Sequence, residues 1–234
     1  MINQEVPKNY VIWNDFNTLE NDILIEELPL VDSSEEDKEF IEVTGRHGFL
    51  TINKGSYKPI DYSFEMIVRG KEKKDIIKKA FKGSGELILS NEVSRYYKAV
   101  ISGSITFERQ IRDIFKVTIP FKLQPFAYER FNNMLTYTSP FIIENPTNTT
   151  AQPKLRINGS GSAVIRINDN DIMISDIGGI IILDFEMKEA YDIGYSQKNN
   201  KVSGEFYDLV EGENTITWSG GVTKVEIWTN WRWI

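Results

Sequence analysis

The 234-residue chain contains no cysteine and a single histidine, His47. Without thiols there is no disulfide, no thiolate metal site and no cysteine nucleophile. Without a second histidine or any cysteine, most zinc sites also fall away. A Ser–His–Asp triad would have to use His47, yet no G-x-S-x-G elbow accompanies it. Gly45 and Gly48 flank it instead, which predicts a turn leading into the strand-like FLTI. Long apolar runs are missing too. The longest, IGGIIILDF, is far too short to cross a bilayer, and no membrane partner is expected. The opening MINQEVPKNYVIW has neither the basic nor the apolar region of a secretory leader, so no export signal is expected.

A basic surface is also lacking. The net charge of −7 argues against a general nucleic-acid binder, which must displace phosphate counterions. The glycine-rich GSGS at 159–162 carries no lysine and no following helix, so it predicts a strand connection, not a phosphate loop. NDND at 168–171 starts like a calcium loop but lacks the spaced glycine and the later bidentate glutamate. It reads as a β-turn between AVIRI and IMIS, because Asn and Asp tolerate left-handed conformations. A glycosidase needs only two carboxylates, and the chain has 34 acidic residues, so their abundance points nowhere. No catalytic residue, metal ligand or cofactor is expected.

What is present is period-two alternation. In IDYSFEMIV, Ile60, Tyr62, Phe64, Met66 and Val68 share one parity, as a half-buried strand requires. IFKVTIPFKL places Phe115, Val117, Ile119 and Phe121 alike, and KLRING, AVIRIND, IIILDFEM, NTITW and VEIWTNW continue the pattern. Stretches such as SNEVS, NPTNTT, SQKNNK, EGEN and SGG read as turns between them. The fold class is therefore mainly β and antiparallel. One segment departs: KEKKDIIKKAFKGSG predicts a helix over 70–82, with Ile76, Ile77, Ala80 and Phe81 on one face and Gly83 as its stop. A stretch rich in Asn, Thr and Pro marks a boundary between a first domain at 1–135 and a second at 140–234.

Charge is unevenly spread. Between residues 15 and 42 there are eleven acids and one lysine, whereas residues 71–82 hold six lysines against Glu72 and Asp75. These are either two solvated faces or an acidic edge that meets the basic helix of the next copy, with Lys73, Lys74, Lys78 and Lys79 as the patch. At the other end, VEIWTNWRWI read as one unbroken strand separates by parity. Val225, Ile227, Trp231 and Trp233 form a core face, and Glu226, Trp228, Asn230 and Arg232 face away. Trp228, Asn230 and Arg232 could then contact a sugar or a partner protein.

Several stretches taken in order resemble the distal tail protein (Dit) family of siphophages over nearly the whole chain. They are GRHGFLTI, the lysine-rich helix, Tyr96 to Ala99, Pro125-Phe126-Ala127-Tyr128, Asn145-Pro146, Pro153 with GSG, and the Gly212-Glu213-Asn214 turn. Thr147 departs from the glycine that many members carry after Asn-Pro. The resemblance implies an N-terminal belt domain, a β-sandwich with one helix that forms a homo-hexameric ring. It implies a C-terminal galectin-like or carbohydrate-module-like sandwich outside that ring. The implied partners are the tail-tube protein and the tail-associated lysin or fibre protein, with a receptor-binding protein as a further candidate. The ring would leave a channel for DNA at the distal tail tip of a virion assembled in the host cytoplasm. Longer relatives carry an inserted sugar-binding module, and this chain has the length of the short form. The alternative reading is a module that binds host-wall carbohydrate.

Overall fold

A computed structural model describes residues 8–234, and the first seven residues of the N-terminal stretch discussed above lie outside them. Contacts divide the chain into a first unit ending at Arg130 and a second spanning Phe131–Trp233. The fold is mainly β, as the alternation predicts, with one α-helix among the described residues.

The first unit holds β1 (Val11–Trp13), β2 (Phe16–Asn17), β3 (Glu36–Glu42), β4 (Phe49–Tyr57), β5 (Ile60–Arg69), α1 (Glu72–Ala80), β6 (Ser84–Leu89), β7 (Arg95–Ile101), β8 (Thr106–Ile111) and β9 (Ile114–Glu129). The long β9 organises the sheet: β5, β7 and β8 all pair with it, and β6, β1 and β2 continue outward from β7. Alternation produces the core directly. Tyr62, Phe64, Met66 and Val68 of β5 and Phe115, Val117, Ile119, Phe121 and Leu123 of β9 are buried together. Phe121 holds the aromatic centre, edge-on to Trp13 at 5.2 Å and stacked with Phe64 at 5.8 Å between centroids.

Helix α1 is shorter than the 70–82 expected, and it packs through Ile77, with Ala80 and Phe81 beside it. Ile76 departs from its predicted face and is exposed. Residues 77, 80 and 81 follow i, i+3, i+4 spacing, whereas Ile76 lies about 100° round the axis from Ile77. Gly83, in the left-handed region at φ 68°, turns the chain into β6. Two of the quoted motifs lie side by side: Tyr96 pairs with Tyr128 and Tyr97 with Ala127 across β7 and β9. Tyr96 stacks on Tyr128 at 5.5 Å, and the Lys98 ammonium sits 4.4 Å from the same ring.

The second unit holds β10 (Leu135–Tyr137), β11 (Phe141–Asn145), β12 (Lys154–Ile167), β13 (Asn170–Ile174), β14 (Gly179–Asp184), β15 (Glu189–Tyr191), β16 (Val202–Ser203), β17 (Gly212–Trp228) and β18 (Arg232–Trp233). Strands β12 and β17 run antiparallel along nearly their whole length. GSGS does not connect two strands and SGG is not a turn. Both lie inside these long strands, where the register shifts between Asn158 and Ala163. A Cβ on Gly159 would sit 2.1 Å from Gly221 O, and one on Gly221 would sit 1.6 Å from Ser160 O. The glycines permit a close backbone approach at a bend, one of the uses of glycine within strands. Leu155, Ile157, Val225 and Ile227 on one side of the bend share a core with Ile165, Ile167 and Ile216 on the other.

The turn motifs lock this unit. NDND is a turn: Asn168, left-handed at φ 54°, donates its backbone N–H to Thr215 O, accepts the Thr215 N–H at its side-chain Oδ1 at 2.9 Å, and donates its Nδ2 to Asn214 Oδ1 at 3.1 Å. Asn214, fully buried, donates to the Val210 and Gly212 carbonyls. Asn145 pairs with Gly212 across β11 and β17, so these two motifs are neighbours as well. Its Oδ1 accepts from both the backbone N–H and the hydroxyl of Thr147. Thr147 is thus a buried member of the turn.

Candidate assembly surfaces

Strands β3 and β4 pair only with each other among the described residues and form a two-stranded arm. The FIE and FLTI runs on either side of TGRHG make a hairpin, with Gly45 and Gly48 at positive φ and His47 exposed in the turn. Both faces of the arm are apolar and exposed. Phe40 and Phe49 lie on one face; Ile41 and Leu50, with Ile52, lie on the other. Strand β3 is also acidic, carrying Glu36, Asp37, Glu39 and Glu42 against Lys38. Glu36 binds Lys38 at 2.6 Å and Asp37 binds Lys54 at 3.4 Å, while Glu39 and Glu42 have no ion pair among the described residues. These acids are legible in the sequence as a charge run, but the strand that carries them is not. The hairpin signal around TGRHG was the clue available.

The predicted lysine patch separates into two pairs. Lys73 donates to the Asn21 carbonyl and lies 4.0 Å from Asp22. Lys74 lies over the Phe115 ring at 4.3 Å and near Phe107 at 5.3 Å. Lys78 is exposed, 5.4 Å from the Phe107 ring, and Lys79 is exposed. Beside α1, the β8–β9 turn brings up Arg109 and Arg112. Together they form a cleft of about 360 Å³ lined by Lys71, Lys74, Lys78, Arg109 and Arg112 against Asp75 and Asp113. Lys79 does not line it.

All three terminal tryptophans fall on the faces that parity assigns them, but the unbroken strand on which that reading rests ends at Trp228. Val225 and Ile227 are in the core and Glu226 and Trp228 are on the other face, but β17 stops at Trp228. Asn230 adopts φ 52° and breaks the strand, so parity no longer applies beyond it. Trp231 packs in the core with Trp233 against it. The outward-facing trio predicted for Trp228, Asn230 and Arg232 therefore does not form. Asn230 donates to Gln152 O at 2.7 Å and accepts from Asn132 at 2.6 Å. Arg232, 8% exposed, donates to Thr150 O at 2.7 Å and Gln152 Oε1 at 2.8 Å, and pairs with Asp208 at 3.4 Å. Its guanidinium holds three chain segments together and offers no open fork to a sugar.

Trp228 lies opposite Lys154 in the sheet, at the edge of a row of buried charges. Asp184 accepts from Lys154 at 2.9 Å, Tyr191 at 3.0 Å and the Met187 N–H at 3.2 Å. Burial pushes this carboxyl up, but the three donors outweigh it and hold it below the usual carboxylate range. Glu226 is held down first by Lys224 at 2.7 Å, against burial, with Asn158 at 3.2 Å and Arg156 at 3.3 Å helping. Both carboxylates are thus occupied in charged networks. Among the described residues no cluster of His, Cys, Asp or Glu is placed to hold a metal ion. No described helix is long and apolar enough to cross a membrane.

No protein-family model matches the chain, and comparison with curated proteins finds no match either. Among solved structures, the chain is similar to the crystal structure of SPP1 Dit (gp 19.1), described as a paradigm of the hub adsorption apparatus in phages that infect Gram-positive hosts. The TM-score is 0.77 over 94% of this chain and 98% of that one, at 12% identity. The two share a fold over that span.

Proposed function

We propose that the chain is a structural hub protein of a phage tail tip, not an enzyme. On this reading the first domain, 1–135, is a belt that assembles into a homo-hexameric ring around a channel for DNA. The second, 140–234, is a galectin-like sandwich on the outside. The ring joins the tail-tube protein to the tail-associated lysin or fibre protein, with a receptor-binding protein as a further partner. It assembles in the host cytoplasm and ends at the distal tip of the virion.

The observation that carries this reading is the β3–β4 arm. A two-stranded ribbon is marginal on its own, and its open edges and exposed apolar faces invite pairing with another chain. Cover from a second copy resolves that liability. When a projecting arm meets a different surface of the next copy, the contact is heterologous and can close into a ring. The fold shared with SPP1 Dit supports the same reading. A net charge of −7 is also compatible with a ring through which DNA slides without sticking.

Electron microscopy of the purified protein tests the proposal. Six-fold rings with a central opening are expected. Particles that remain single copies at every concentration would overturn it.

A further inference from the structure

Resting on that ring reading, we infer that the acidic strand β3 of one copy docks in the basic cleft between α1 and the β8–β9 turn of the next. The two surfaces are opposite in sign and alike in magnitude. Strand β3 bears four carboxylates against one lysine, and the cleft is lined by five cations against two carboxylates. None of the five cations has an ion pair within its own chain among the described residues, and neither do Glu39 and Glu42.

The apolar parts match as well. Ile76 and Ile111, 38% and 65% exposed, flank the cleft on α1 and at the end of β8. The arm offers the face of Phe40 and Phe49, which also carries Glu42, to cover them, while Glu39 lies on the opposite face beside Ile52. Lys74, laid over the Phe115 ring, keeps its charge at the cleft without filling it. Reach is adequate: the nine residues of β4 extend about 30 Å, roughly the width of a small domain. Among the described residues strand β8 pairs only with β9, so the arm meets an edge strand guarded by Arg109. In such a contact the apolar residues supply most of the affinity, while opposed charges set register and exclude wrong pairings.

The test is charge reversal read by light scattering. Variant one carries Lys71→Glu and Lys78→Glu, both exposed cleft residues, and variant two carries Glu39→Lys and Glu42→Lys. Each alone should need about tenfold or more protein to assemble than wild type does at roughly 0.15 M salt. Mixed in equal amounts, they should recover the wild-type mass, since a six-membered ring can alternate them with every contact complementary. Recovery in the mixture rules out misfolding as the cause of each single failure. If wild type assembles but the variants assemble equally well, or the mixture fails to recover, the docking site is wrong and the ring stands. If wild type never assembles, both readings fall.

Discussion

Phe40 and Phe49 pack edge to face, with ring centroids 4.8 Å apart, while remaining 60% and 57% exposed. Two aromatic rings that touch each other and little else contribute modestly to the stability of one chain. Their large remaining area is available to a partner, at about 25 cal/mol for each Å² covered.

Replacing both by serine should therefore separate assembly from folding. The thermal midpoint of the single chain should move little, as expected of surface changes within about 0.5 kcal/mol each. The assembled mass measured by light scattering should be lost. A variant that still assembles like wild type would remove the arm from the interface.

The glycine bend in the second unit gives a sharper stability prediction. Gly159→Ala places a Cβ 2.1 Å from Gly221 O, where backbone must move, and should cost on the order of 3 kcal/mol or more. Gly161→Ala meets open space and carries only the left-handed strain of φ 70°, about 1–2 kcal/mol. Denaturant midpoints of the two variants check the order.

How far the fold was legible follows from the same residues. Strands β5 and β9 could be read because each buries one face, and alternation records that asymmetry. The helix is legible because Ile77, Ala80 and Phe81 repeat at helical spacing, although hydrophobicity alone also assigns Ile76 to their face. Strand β3 escaped because neither of its faces is buried, so its carboxylates read as a charge run. Gly159 and Gly221 read as turn residues because a close approach between strands uses the same residue as a tight turn. The Trp228, Asn230, Arg232 trio failed at one dihedral angle, the positive φ of Asn230, which residue type alone does not dictate.

Arg232→Ala should destabilise the second unit by about 3 kcal/mol, since it strands the carboxylate of Asp208 and the carbonyl of Thr150 in a partly buried site. That corresponds to a melting shift of roughly 4–8 °C per kcal/mol for a unit of this size. Arg232→Lys should rescue only part of the loss, because an ammonium cannot span all three partners. Full rescue by lysine in a thermal scan would contradict the network.

Acid should weaken the second unit through Asp184 and Glu226. Both carboxyls lie below their ordinary values in the folded chain, so the unfolded chain takes up protons first as pH falls. Their contribution is complete above the ordinary carboxylate range near pH ~4 and is lost as pH drops through the lower folded values. Asp184→Asn should flatten the acid limb of a melting-temperature profile while lowering stability at neutral pH. An unchanged acid limb would contradict the assignment.

The central claim is self-assembly, and the mass of the purified protein in solution tests it most directly. Six 27.0 kDa chains weigh 162 kDa together, and light scattering should find that species growing in with concentration. A mass that stays at 27.0 kDa up to the highest attainable concentration would contradict the account.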